Sequence, residues 1–260
     1  MHILITNDDG VQSRGLLTLS QSLGGLADVT VFAPSHNWSA AGHNKTMHKP
    51  LRVDEVTLAD GRAAFSSNGT PSDCVALATL GVVERAVDLV VSGINSGANL
   101  GQDITYSGTV AGAMEATIAG LPAVAVSLNC HDSEADFHPA AEAARVVVAI
   151  ALELGLPRGV FLNVNVPPLQ LEAIRSARLT RLGRRVYRDV LVRRLDPRGR
   201  PYYWIGGDPP SGEPDPDTDI WAVDAGFVSV TPVHMDMTAY TLLHGRETWE
   251  TRLAEAFRAR

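Results

Sequence analysis

The chain opens with an apolar run, residues 3–5, that leads directly to two adjacent carboxylates, Asp8 and Asp9, flanked by Asn7 and Gly10. Such a run is typical of a parallel strand that is buried on both faces. In open α/β sheets, ligands bind at the carboxyl ends of the strands, where these two carboxylates would lie. The pattern therefore predicts a ligand site at this position. A solvated Asx-type turn that leads into a helix is the alternative interpretation.

Predicted strands alternate with predicted helices through the first two thirds of the chain. The strands are expected at 2–6, 28–33, 88–92, 122–128 and 160–166, the helices at 16–26, 71–83, 109–119 and 140–154, and a hairpin at 51–58 and 62–66. Because helical crossovers join parallel strands, this order predicts an α/β fold with a doubly wound, mostly parallel sheet.

The composition changes after Pro167, and ten arginines lie between Arg175 and Arg200. Residues 186–195 and 201–205 are expected to form an extended hairpin arm, followed by an acidic, Pro-rich loop at 208–219, a strand at 226–233 and a helix at 246–258. We therefore expect a core over residues 1–170 and a second region over 171–260. The arginines could steer an anionic substrate, lie on a solvated face, or pair with acidic segments of a partner chain.

The composition excludes several classes of protein. The chain has 260 residues, of which 45% are hydrophobic, and this is enough for a full α/β core. Its net charge of −7 argues against general nucleic-acid binding. No run of 18 apolar residues is present, so we expect no membrane span. The two cysteines, Cys74 and Cys130, stand in apolar surroundings and are expected to be reduced. The N-terminal residues lack the pattern of an export signal, which favours a cytoplasmic location.

Polar side chains follow three predicted strands that are expected to be neighbours. Asp8 and Asp9 follow the first strand, Ser39 lies in the loop after the second, and Asn95 follows the strand at 88–92. Their oxygen atoms are ligands suited to Mg²⁺ or Mn²⁺. The sequence contains no HExxH or CxxC motif, so a zinc site is not expected.

A second candidate site begins at the helix predicted over 109–119. The backbone N–H groups of Ser107, Gly108 and Thr109 could bind a phosphate group at the positive end of this helix, although such residues also occur as ordinary helix caps. Asn99 and His43 are further candidate substrate contacts, and a solvated loop histidine is an equal alternative for His43. No P-loop and no GxGxxG motif after a strand is present.

A cation beside a phosphate-binding helix end indicates hydrolysis of a phosphomonoester. The metal would polarise a phosphoryl oxygen and activate a water, with Asp8 and Asp9 as its ligands and one of them orienting or deprotonating that water. An aspartyl-phosphate route is a minor alternative because the DxDxT spacing is absent. A non-catalytic nucleotide sensor on the same fold is the rival from another class, and it would not need adjacent metal-binding carboxylates.

Six segments of the sequence resemble the SurE (survival protein E) nucleotidases. They are residues 5–10, 68–74, 91–99, 106–111, 163–167 and 218–223, in order over nearly the whole chain. The resemblance implies a metal-dependent phosphatase of nucleoside 5′-monophosphates, with 3′-monophosphates and polyphosphate as further substrates. It also implies a Rossmann-like core, a hairpin arm, and a C-terminal segment exchanged between the subunits of a homodimer or homotetramer.

The resemblance also extends to single positions of the predicted site. The metal ligands of the family match Asp8, Asp9, Ser39 and Asn95, for one divalent cation per subunit, and its phosphate-side segment matches residues 107–109. In the family pattern the metal-loop serine is followed by glycine, whereas Ala40 follows Ser39 here. Nucleotide preference therefore does not follow from the resemblance.

Overall fold

The computed structural model describes residues 1–132, 134–213 and 215–258, and eleven strands and seven α-helices lie within them. The strands are β1 (His2–Thr6), β2 (Asp28–Pro34), β3 (Val53–Thr57), β4 (Ala63–Ser67), β5 (Leu89–Ser96), β6 (Ala123–Leu128), β7 (Val160–Val166), β8 (Ala177–Leu179), β9 (Arg185–Leu195), β10 (Pro201–Gly212) and β11 (Val228–His234). The helices are α1 (Arg14–Leu23), α2 (Pro71–Leu77), α3 (Gly108–Ile118), α4 (His138–Leu154), α5 (Asp219–Asp224), α6 (Tyr240–Leu243) and α7 (Arg246–Arg258).

Nine strands form one sheet in the order β3-β4-β2-β1-β5-β6-β7-β11-β8. The six strands from β4 to β7 in that order are parallel to one another, while β3 and β11 pair antiparallel with their neighbours β4 and β7. The predicted mostly parallel α/β sheet is therefore confirmed. Because β2 and β5 lie on opposite sides of β1, the strand order reverses there, and ligands bind at such a point in open α/β sheets.

Helices cover both faces of the sheet. Ile3 and Ile5 share one apolar cluster with α1 and α4, and Leu4 points to the opposite face and joins the cluster beneath α2 and α3. This alternation follows from the two-residue period of a strand, and all three side chains are fully buried. The run that predicted β1 is thus apolar because helices pack on both of its faces.

Side-chain caps fix the start of the helices that reach the sheet edge. The hydroxyl of Ser13 accepts from the N–H of Leu16 at the start of α1, and Ser107 accepts from the N–H of Val110 at the start of α3. Helix α2 has a full capping box in which Thr70 and Asp73 each accept the other's backbone N–H, with Pro71 in the first turn.

Among the predicted boundaries that were wrong are the ends of β5 and α2. Strand β5 continues to Ser96, past its expected end at residue 92, because Asn95 and Ser96 pair with β6 after a register shift. The helix expected over 71–83 ends as α2 at Leu77 and continues as a π-helical turn, Ala78–Val82.

The C-terminal region holds a separate two-stranded antiparallel sheet of β9 and β10. Strand β10 extends to Gly212, so the prediction of a loop beginning at residue 208 was wrong, and Pro214 of that loop lies outside the described residues. The short strand β8 was not predicted, whereas α7 has the expected bounds. Within the described residues, no helix is long and apolar enough to cross a membrane.

Candidate functional site

The predicted site residues follow strands that lie side by side. Strand β1 lies between β2 and β5, in parallel with both, so the loops after the three strands meet at one edge of the sheet. Asp8 and Asp9 follow β1, Ser39 lies in the loop after β2, and Asn95 stands near the end of β5. The sequence prediction that these three strands are neighbours is confirmed.

Asp8 lies deepest in the site, with only 3% of its surface exposed. One of its carboxylate oxygens accepts a hydrogen bond from the hydroxyl of Thr109, in the first turn of α3. Its backbone carbonyl accepts from the N–H of Trp38 at 2.8 Å, which fixes the loop that carries Ser39 against β1. The start of α3 therefore already binds one carboxylate of the site.

Asp9 is held by two donors from different segments of the chain. Its Oδ2 accepts from the backbone N–H of Ser96 at 3.3 Å, and its Oδ1 accepts from the side-chain amide of Asn37 at 3.2 Å. The carbonyl oxygen of the same Asn37 side chain accepts from the N–H of Ser39 at 2.7 Å. Asn37, which was not among the predicted residues, thus connects Asp9 to Ser39.

The two carboxylates are held at an electrostatic cost. Burial raises the pKa of Asp8 to about 6, the Thr109 hydrogen bond opposes this, and the adjacent charge of Asp9 adds to it. Burial also raises the pKa of Asp9, against the hydrogen bonds from Ser96 and Asn37. Both carboxylates would be stabilised by a cation between them.

Two asparagines present oxygen atoms near these carboxylates. The side-chain amide of Asn95 donates to the carbonyl of Gly97 at 2.7 Å, which leaves its Oδ1 as the atom that can ligate a cation. Asn99 donates from its side chain to Ser127 at 2.8 Å. Its backbone carbonyl accepts from both Asn163 and Asn165, so Asn99 is firmly held beside the cleft.

A cleft of about 360 Å³ opens at this edge of the sheet. Its lining consists of Asp8, Ser39, Ala40, Asn95, Ser96, Gly97, Ala98, Asn99, Asp103, Tyr106, Ser107 and His131. The carboxylates in this lining of described residues are those of Asp8 and Asp103, and the lining contains neither lysine nor arginine; the predicted ligand Asp9 is not among the lining residues. A cation bound here would offset that negative charge and favour the binding of an anionic ligand.

The lining residues that were not predicted from the sequence include three with ionisable side chains. Asp103 and Tyr106 lie in the segment before α3, and His131 follows β6. The ring of His131 covers Gly97, where an added Cβ would lie 2.3 Å from its Cε1 atom. The sequence did contain a signal for His131, because this residue follows the predicted strand that became β6. A residue that follows a parallel strand next to β5 lies at the same edge of the sheet.

Ser107 and Gly108 lie between the cleft and the start of α3. The Ser107 hydroxyl caps the helix through the N–H of Val110, as the alternative interpretation stated, and Ser107 also lines the cleft. Gly108 packs directly on Asp8, since an added Cβ would lie 2.7 Å from the Asp8 Cβ atom. A side chain at position 108 would therefore displace the carboxylate.

His43 contacts a buried residue of α3 and is not part of the cleft lining. Its Nε2 lies 3.0 Å from Oε2 of Glu115, whose Oε1 lies 2.6 Å from Nζ of Lys45. Glu115 has only 4% of its surface exposed, and these two partners lower its pKa against the effect of burial. The Ser39 loop is thus tied to α3 by an ion-paired cluster.

The type of donor atom distinguishes this site from a soft-metal centre. Among the described residues, three or more His, Cys, Asp or Glu side chains nowhere converge as a metal site. The sheet edge instead brings together two carboxylates, an amide and a hydroxyl, which are all oxygen donors and fit a hard divalent cation.

Comparison with known proteins agrees with this geometry. Residues 3–189 match the family model described as "Survival protein SurE". The chain belongs to the SurE family. The match includes the strands of the sheet edge and every residue of the cleft lining.

Curated relatives and a solved structure extend the similarity over most of this chain. A protein of Herpetosiphon aurantiacus named 5′-nucleotidase SurE is 56% identical over 239 residues, 92% of this chain and 94% of the relative. One of Chloroflexus aggregans with the same name is 52% identical over 96% of this chain and 99% of its own. The crystal structure of the SurE protein from Aquifex aeolicus has a TM-score of 0.82 at 39% identity, over 96% of this chain and 100% of that one.

Proposed function

We propose that this chain is a metal-dependent phosphomonoesterase that hydrolyses nucleoside 5′-monophosphates to a nucleoside and phosphate. The names of the curated relatives support the substrate class. The observation that carries the metal dependence is the cleft itself, which has the carboxylates of Asp8 and Asp103 but neither lysine nor arginine among its described lining residues. Nucleoside 3′-monophosphates and polyphosphate are proposed as further substrates.

Asp8, Asp9, Ser39 and Asn95 are the proposed ligands of one divalent cation per subunit, Mg²⁺ or Mn²⁺. Their positions at one strand edge and the raised pKa values of both carboxylates support this choice. When bound, the cation supplies a Lewis acid that withdraws negative charge from a phosphoryl oxygen.

The residues of the chain have distinct proposed roles in hydrolysis. One of Asp8 and Asp9 orients or deprotonates the attacking water: Asp8 lines the cleft, and Asp9 follows it in the chain and is held by Ser96 and Asn37. The backbone N–H groups at Ser107, Gly108 and Thr109 stabilise charge on the phosphoryl group. Asn99, which lines the cleft, contacts the substrate, and His43, which lies outside the lining, acts through Glu115 and the Ser39 loop.

Residues 171–260 are proposed to mediate self-association into a homodimer or homotetramer, with the C-terminal segment exchanged between subunits. Helices α6 and α7 contain no buried residue, and Trp249 and Leu253 of α7 are more than half exposed. Trp204 and Ile205 of β10 are also exposed, at 64% and 78%. Exposed apolar surface of this kind is typical of a protein–protein interface.

Phosphate release from a panel of nucleotides tests the proposed activity. The panel contains the 5′- and 3′-monophosphates of adenosine, guanosine, cytidine and uridine together with polyphosphate, each assayed in EDTA and after addition of Mg²⁺ or Mn²⁺. We expect no release in EDTA and restored release with the cation. Equal release in both conditions would refute the metal dependence, and no release from any 5′-monophosphate would refute the activity.

A further inference from the structure

Asp219 is a fully buried carboxylate outside the cleft, with 0% of its surface exposed. It accepts three backbone N–H groups, two from distant parts of the chain, Gly101 at 2.8 Å and Gly183 at 2.7 Å, and one from the adjacent Ile220 at 2.8 Å. Hydrogen bonds to an ionised acceptor are stronger than those between neutral groups. Asp219 therefore fastens α5 to two other segments, one on each side of it.

The first of these segments carries cleft residues. Gly101 begins a 3₁₀-helical turn, Gly101–Thr105, which includes Asp103 and is followed by Tyr106, and both of these side chains line the cleft. The second segment contains Gly183 and leads directly into β9 of the hairpin. Asp219 thus links the base of the hairpin to the cleft.

A second set of contacts makes the same link from the hairpin side. The guanidinium of Arg185 lies 2.8 Å from a carboxylate oxygen of Asp103, and its backbone N–H donates to the side chain of Gln102 at 2.9 Å. Tyr187 donates its hydroxyl to the other oxygen of Asp103. The start of β9 therefore holds the carboxylate that forms part of the cleft wall.

The two segments are packed too tightly to move independently. A Cβ added to Gly101 would lie 2.5 Å from the backbone carbonyl oxygen of Gly183, and Gly101 has a positive φ of 54°. The position therefore requires glycine, both for its conformation and for the close approach of the Gly183 backbone. A shift at the hairpin base would be transmitted to Asp103 and Tyr106.

We propose that Asp219 is a positioning residue for substrate binding, which sets the cleft wall at Asp103 and Tyr106 by fastening it to the base of the β9–β10 hairpin. The hairpin base is then part of the substrate site, whereas the proposed cation ligands Asp8, Asp9 and Asn95 are positioned by β1 and β5. This inference rests on the proposed nucleotidase function. It assigns to the hairpin a role in substrate affinity in addition to any role in association.

The test compares Asp219→Asn with Asp224→Asn, an exposed carboxylate of the same helix. The amide introduced at position 219 would place an N–H donor against one of the three backbone N–H groups, which removes a charge-assisted hydrogen bond. We expect KM for a nucleoside 5′-monophosphate to rise about tenfold, with Kd for Mn²⁺ within about twofold of the wild-type value. The control variant should keep the wild-type KM.

Arg185→Gln, with Arg188→Gln as its matched control on β9, tests the same link without altering a buried group. We expect a smaller rise in KM in Arg185→Gln, and faster hydrogen exchange of the amides between residues 100 and 106 in both Asp219→Asn and Arg185→Gln. If Asp219→Asn does not fold, Arg185→Gln decides the question alone.

Three outcomes are distinguishable. A raised KM with unchanged Mn²⁺ affinity supports the positioning role. An unchanged KM in Arg185→Gln, or a loss of kcat and Mn²⁺ affinity at unchanged KM in Asp219→Asn, overturns it, since the residues would then act only through general stability. Wild-type protein that releases no phosphate would overturn the proposed function, and this inference with it, before any variant is compared.

Discussion

At the scale of single residues, the site holds a carboxylate where burial disfavours its charge. The pKa of Asp8 is raised by burial to about 6, so the folded protein binds this proton more tightly than the unfolded chain. The ionised form therefore lowers the free energy of unfolding, and this cost grows as the pH rises through the interval from the ordinary value of 3.8 to about 6. Binding of a cation would offset that cost.

Asp8→Asn should consequently stabilise the metal-free protein while removing its activity. In EDTA at pH 8, we expect the free energy of unfolding to rise by about 1–3 kcal/mol, because a neutral amide replaces a desolvated charge and can still accept from Thr109. Urea unfolding measures this change. The difference from wild type should shrink as the pH falls from 6 to 4, and an Asp8→Asn variant that is active, or less stable at pH 8, would refute the assignment.

Glu115 is the second residue whose role can be isolated. Its carboxylate contacts His43 and Lys45 and thereby holds the loop that carries Ser39. Glu115→Gln should weaken Mn²⁺ binding about tenfold, since outer contacts orient the groups that bind a metal. Glu142→Gln on α4, whose carboxylate pairs with Arg145, is the control. Isothermal titration calorimetry measures the Mn²⁺ affinity of both variants. Equal affinity in the two would contradict a role for Glu115 in positioning Ser39.

At the scale of elements, the position of α3 against β1 decides the geometry of the site. Gly108 begins this helix, and an added Cβ would lie 2.7 Å from the Asp8 Cβ atom. We therefore expect Gly108→Ala to reduce both Mn²⁺ affinity and phosphate release, by at least about tenfold, through displacement of Asp8. Gly25→Ala, where the nearest heavy atom is 3.6 Å away, should behave as wild type. Unchanged Mn²⁺ affinity in Gly108→Ala would show that α3 has room to move.

Sequence patterns predicted the bounds of the strands and helices that are determined by their own residues. β1 and β7 were predicted with correct bounds because both are fully or almost fully buried and rich in β-branched and other apolar residues. The bounds of α7 were also correct. The extension of β5 to Ser96 was missed because it depends on pairing with β6, a contact between distant parts of the chain.

The candidate site divides in the same way. Asp8, Asp9, Ser39 and Asn95 could be proposed from the sequence because each follows a recognisable strand. Asn37 and Asp103 could not, since their contacts with Asp9 and Arg185 join segments that are distant in sequence and meet only in the folded chain.

At the scale of the whole molecule, the exposed apolar side chains of the hairpin predict self-association. Trp204→Ser combined with Ile205→Ser removes apolar surface that is 64% and 78% exposed and leaves the contacts of Arg185 and Tyr187 with Asp103 in place. We expect a lower mass than wild type by light scattering. Leu80→Ser, at a position that is 86% exposed near the end of α2, is the control and should keep the wild-type mass. An unchanged mass in the double variant would exclude this surface from the interface.

The central claim is that a cation at the β1–β5 edge makes an acidic cleft able to bind a phosphate group. Calorimetric titration of adenosine 5′-monophosphate into the protein, with Mn²⁺ and with EDTA, tests it most directly, and a parallel titration with inorganic phosphate gives the binding heat without hydrolysis. We predict that both ligands bind in Mn²⁺ and that affinity falls by more than about tenfold in EDTA and in Asp8→Asn. Equal affinity in EDTA would contradict the account, because it would show that the cleft binds the anion without a cation.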